Sequence, residues 1–151
     1  MVTRRREHLS TVQPRLCAVR GAVTVAADTP ALIDAAVREL LDQLIEANGI
    51  DVDDLVSVIF SATPDLRSRN PATAARILGW TDVPMMCVAE VDTDGMLERC
   101  VRVMLHVRVV DGRRLQPVYL GDAACLRPDL APVGDPRHDE RARRLILHQQ
   151  R

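Results

Sequence analysis

Five polar residues sit in or beside runs of the chain that are otherwise strand-like and apolar: Arg20, Glu90, Arg102, Tyr119 and Arg127. A guanidinium keeps its proton at any physiological pH, so two or three of them beside one carboxylate and one phenol form a set of fixed charges, not a proton relay. The ligand that suits such a set is a dianionic organic molecule bearing a hydroxyl. The opposing reading is that these groups decorate a solvated sheet surface. Conventional acid–base catalysis is thinly supplied: of the histidines at 8, 106, 138 and 148, only His106 lies within the body of the chain. Ser61 lacks the Gly-x-Ser-x-Gly setting of a hydrolase nucleophile, and Cys87 has no histidine near it in sequence. No His, Asp and Glu cluster shows metal-ligand spacing, so no metal is expected.

All 20 basic residues are arginine. The lack of lysine excludes Schiff-base chemistry, a pyridoxal phosphate anchor and a Walker-type phosphate loop. The formal charge of -1 conceals basic ends and an acidic middle, and the chain has just one Phe, one Trp and one Tyr. With so few rings for stacking, nucleic-acid binding is not expected. The cysteines at 17, 87, 100 and 125 have no Cys-x-x-Cys spacing and read as free thiols. Neither a signal peptide nor a membrane span is visible, which points to a reducing cytoplasm.

The elements that must hold these residues follow from periodicity. In the stretch 83–107, VPMMCVAEVDTDGMLERCVRVMLHV, two strand-like runs flank a turn at Asp92–Gly95, with Glu90 in the first and Arg102 in the second. If the runs pair or lie side by side, the carboxylate and the guanidinium face one pocket. Leu16 to Val25 reads as a first strand. Thr29-Pro30 opens a long amphipathic helix, and Asn48-Gly49 stops it. Leu55 to Ser61 reads as a buried second strand, and Pro71 opens a short helix through Leu78 on which Arg76 is exposed. Met85 to Val91 and Cys100 to Val109 follow as strands, with short strands at Gln116 to Leu120 and Ala123 to Leu126. The expected class is α/β, in the order β-α-β-α-β-β-β, a mixed sheet with its helices packed on one side. Residues 1–15 and 131–151 read as flexible extensions of a domain spanning 16–130.

Several short segments then occur in one order: VRGAVTV at 19–25, SATPDL at 61–66, GW and VP within 79–84, the Cys87 to Glu90 segment, CVRVM at 100–104, VYL at 118–120 and LRPDL at 126–130. Together they resemble the AroH-class chorismate mutases over about residues 16–130. The resemblance implies conversion of chorismate to prephenate without a cofactor, in a pseudo-barrel homotrimer with its active sites at subunit clefts. It implies that Arg102 meets the ether oxygen of the breaking bond, and that Arg20 and Tyr119 hold carboxylate. Glu90 and Cys87 would contact the ring hydroxyl, and Arg76 and Arg127 would guard the mouth. Ala72, Met85 and Leu126 would line the pocket, with Thr73 and Met86 at its rim.

The chain departs from the family pattern at the rim. It has Asn70 where an aromatic residue is common, Thr73 for a lysine and Met86 for a small polar residue, and it lacks one residue between Arg76 and Gly79. These departures bear on affinity more than on reaction type. Two other readings compete: a trimeric module that binds an aromatic-pathway dianion without chemistry, and extensions that dock a partner enzyme.

Overall fold

The computed structural model describes residues 13–130; the extension expectations for 1–12 and 131–151 lie outside the described residues. The elements are β1 (Arg15–Thr24), α1 (Pro30–Asn48), β2 (Leu55–Ala62), α2 (Pro71–Ile77), β3 (Met85–Ala89), β4 (Cys100–Val109) and β5 (Val118–Leu120). Short 3-10 turns cover Val52–Asp54, Gly121–Leu126 and Pro128–Leu130. The expected order of strands and helices therefore holds. The strand read at Ala123 to Leu126 is instead part of a 3-10 turn entered through Gly121 at φ 58°, a left-handed conformation that suits glycine.

The sheet runs β3-β2-β4-β1-β5. Central β4 pairs antiparallel with β1 along its whole length, from Arg15↔Val109 to Thr24↔Cys100, and antiparallel with β2 on the other side. β3 lies parallel to β2, and three-residue β5 lies parallel to β1. The runs carrying Glu90 and Arg102 are consequently not neighbours, because β2 lies between them.

Helix α1 forms where its signals place it. The Thr29 hydroxyl accepts from Leu32 N, Pro30 occupies the first turn, and Gly49 takes the left-handed C-cap at φ 52°. Its Ile33, Val37, Leu40, Leu41 and Leu44 are wholly buried against Val19, Val23, Phe60, Val103 and Leu105. Each such side chain contributes about 1.5–3 kcal/mol through burial. α2 adds Ala74 and Ala75 to the same core, so both helices cover one face of the sheet. Gly21 is where β1 passes closest to α1: a Cβ there would lie 2.8 Å from Leu44 Cδ1 and 3.0 Å from Leu40 Cδ1.

Among the described residues, no α-helix covers the opposite face; the 3-10 turn Gly121–Leu126 packs at one end of it, against Ala22 and Cys100. Val101, Val103, Leu105, Val107 and Val109 of β4 point into the core, and the residues between them point away from it. By register that second face carries Leu16, Ala18 and Arg20 of β1, Ser57, Ile59 and Ser61 of β2, and Met86 and Val88 of β3. Leu16, Met86 and Val88 are 65%, 60% and 44% exposed.

Candidate active site

Three adjacent strands build the polar centre. On β4, Arg102 sits opposite Ser61 of β2, and Ser61 sits opposite Val88 of β3. Glu90 follows the end of β3, its N–H donating to Ala62 O at 3.0 Å, and it shares the parity of Val88. Its side chain thus returns to the open face. There Arg102 Nη1 meets Glu90 Oε2 at 2.6 Å, and Ser61 Oγ donates to Glu90 Oε1. Burial pulls the Glu90 carboxyl upward, but the Ser61 and Arg102 hydrogen bonds and the charges of Arg102 and Arg20 outweigh it. The net pKa lies below the ordinary carboxylate value, so Glu90 is an anion at neutral pH.

A cleft of about 280 Å³ opens beside this pair, lined by Arg20, Glu90, Arg102, Tyr119, Leu126 and Arg127 with the Gly21–Ala22 backbone. Each wall has a local cause. Arg20 projects from β1 because its neighbours Val19 and Gly21 are taken up by the core. Tyr119 pairs in register with Ala22 on β5. The loop before β5 is tied to α1 by buried Asn48, whose Nδ2 donates to Leu44 O and Gln116 O, both at 2.9 Å, while Gln116 N donates back to Oδ1 at 2.5 Å. Leu126 closes the far side, packed with Tyr119 against Ala22, Cys100 and Ala123.

Arg127 reaches the cleft from the exposed end of the same turn. It grips Asp129 with both arms, Nε to Oδ1 at 2.9 Å and Nη2 to Oδ2 at 2.8 Å. That fork pushes the guanidinium pKa still higher and draws the Asp129 carboxyl down.

The remaining sequence candidates gather elsewhere. Met85 and Cys87 alternate with Met86 and Val88 on β3, and so lie on the helix side, packed with Ala72 against the core. Cys87 Sγ donates to Asn70 Oδ1 at 2.8 Å, and the same oxygen caps α2 by accepting from Ala72 N at 2.9 Å. Thr73 is half-buried, Arg76 is exposed as helix geometry requires, and Met86 lies on the open face. Within one chain, then, Cys87 and Glu90 occupy opposite faces of the sheet.

Sequence reasoning misses two contacts. Ser61 shows in sequence as the end of an apolar run without a nucleophile's setting, and its parity with Ile59 is the signal that could have placed it off the core face. Asn70 shows in sequence as a residue before a helix-opening proline and as a departure from the family pattern at the rim; its contact with Cys87 carries no local signal. His106 is not in the cleft; its Nδ1 is 2.9 Å from Ser57 Oγ on the open face. Burial pushes the Cys100 thiol up to about 11, which makes it an inert core residue. Among the described residues, no group of three or more His, Cys, Asp or Glu is arranged to hold a metal ion, and no helix is long and apolar enough to cross a membrane.

This geometry is accompanied by similarity over the same span. The family described as chorismate mutase type I matches residues 16–130. A Bacillus subtilis protein named chorismate mutase AroH is 43% identical over 115 residues, covering 75% of this chain and 91% of that protein. A Thermus thermophilus protein of the same name is 46% identical over 114 residues, covering 74% and 93%. A solved chorismate mutase from Clostridium thermocellum, 44% identical, superposes with a TM-score of 0.68 over 71% of this chain and 96% of its own. The chain belongs to the type I chorismate mutase family.

Proposed function

We propose that the protein is a chorismate mutase that rearranges chorismate to prephenate, working as a homotrimer in the cytoplasm. The observation that carries this reading is a cleft with three guanidiniums, one ionised carboxylate and one phenol, in a chain of this family. The rearrangement is pericyclic. It needs no nucleophile, proton shuttle, metal or cofactor, which is why fixed charges suffice.

Two sources of rate are open to such a site. Arg20 and Tyr119, binding carboxylate, hold the flexible side chain over the ring in its reactive conformer. Arg102 then faces the ether oxygen, where negative charge grows as the C–O bond stretches, and it binds the transition state better than the substrate. Glu90 accepts from the ring hydroxyl and orients the ring. Arg127 and Leu126 border the mouth.

Trimer formation is the proposed source of the missing wall. Cys87, Met85, Ala72, Thr73 and Arg76 lie off the cleft of their own chain, and the open face offers Leu16, Met86 and Val88 to a neighbour. A second copy docked there would bring those residues, with Met86, to the first copy's cleft. The test is direct: purified protein, with its assembly state read by sedimentation, is mixed with chorismate and prephenate is followed. Turnover by a trimer is the expected result; an intact trimer without turnover at high concentration overturns the reading.

A further inference from the structure

The Glu90–Arg102 pair poses a problem for a cation that must act on substrate. Carboxylate and guanidinium planes fit as a fork, two parallel N–H to O bonds, and an unrestrained pair drifts to that arrangement. A fork would commit two N–H donors of Arg102 to Glu90 and tie down most of its charge. The observed pair is not a fork. One arm, Nη1, reaches Oε2 at 2.6 Å, and the other oxygen, Oε1, is taken by the Ser61 hydroxyl.

Ser61 is placed to do this by register. It lies on β2 directly between the strands that supply its two partners, opposite Arg102 on β4 and Val88 on β3, with the Ala62 carbonyl next to it receiving the Glu90 N–H. Backbone and side chain of Glu90 are therefore both anchored to one end of β2. The donor is also neutral. A second guanidinium at Oε1 would satisfy the carboxylate equally well but would add a positive charge, whereas a hydroxyl satisfies the oxygen and leaves the charge balance unchanged.

We propose that Ser61 is a positioning residue for the rearrangement: by occupying Oε1 it keeps the Glu90–Arg102 pair one-armed, so that the other arm of Arg102 remains turned to the ether oxygen. Ser61 does not touch substrate in this scheme. It acts through Glu90, and its contribution is felt where Arg102 works, in the transition state. The inference rests on the chorismate mutase reading above.

The experiment is a double-mutant cycle assayed with chorismate. Ser61→Ala is expected to lower kcat about tenfold with KM little changed, the signature of an interaction lost in the transition state. Ser61→Thr, which keeps the hydroxyl on a strand-favouring residue, is expected to restore most of kcat. In a Glu90→Ala background, adding Ser61→Ala is expected to change nothing further, because the group it positions is gone. A structural role alone would persist in that background and would appear in thermal unfolding. Wild-type turnover with kcat unchanged in Ser61→Ala, or an equal loss in both backgrounds, overturns the inference and leaves the function standing. Lack of turnover by the wild type overturns both.

Discussion

The two faces of β4 are made of the same ten residues and do opposite work. Val101, Val103, Leu105, Val107 and Val109 are at most 3% exposed beneath the helices, while Arg102, Met104 and His106 are half-buried and Arg108 is exposed on the other side. The difference shows how a small domain holds a charged site rigidly. Arg102, like Arg20 on β1, is flanked in sequence by two buried residues, so its backbone is fixed by burial while its head stays available to the cleft. The cost is that neither face can move without the other.

Substitutions on the two faces should therefore be read by different instruments. The largest effect expected is from Arg102→Ala, which removes a preorganised donor and lowers kcat by about 10²–10³, or about 3–4 kcal/mol, with the fold intact by circular dichroism. Leu105→Ala, on the other face, should destabilise the chain by about 2–5 kcal/mol in denaturant unfolding, while kcat per folded site stays near wild type. A large loss of kcat from Leu105→Ala at temperatures where it is folded would break the division. The smallest effect is expected from Arg76→Ala. That charge is exposed, so KM should rise about threefold and kcat should hold. Equal losses of kcat from Arg76→Ala and Arg102→Ala would contradict the roles given to them.

Much of the architecture is legible in the alternation of β4 and the helical repeat of α1, since long periodic elements declare their type and their buried face. Arg20, Glu90, Arg102, Tyr119 and Arg127 were legible for the same reason: each is a polar residue in or beside an apolar run, and all five meet in one cleft. The neighbour relations were not. Glu90 follows β3 and Arg102 lies in β4, the next strand along the chain, yet β2 is inserted between those strands, and nothing local encodes an insertion that depends on tertiary pairing. That insertion brings Ser61 to the carboxylate. The 3-10 turn at Gly121–Leu126 escaped because four residues of mixed apolar character fit a short strand equally well, and the deciding feature is the backbone angle at Gly121.

Gly21 carries a consequence for how related sequences change. Arg20-Gly21 reads in a sequence as a two-residue signature, yet only the arginine sends a side chain to the cleft; a Cβ on the glycine would crowd the methyl ends of Leu40 and Leu44 and come within 3.2 Å of the Val118 carbonyl oxygen. Which residues position 21 accepts is therefore tied to what occupies positions 40 and 44, some twenty positions along the chain. The second half of the signature belongs to the history of the helix, and it would drift with those leucines even in a chain whose chemistry had not changed.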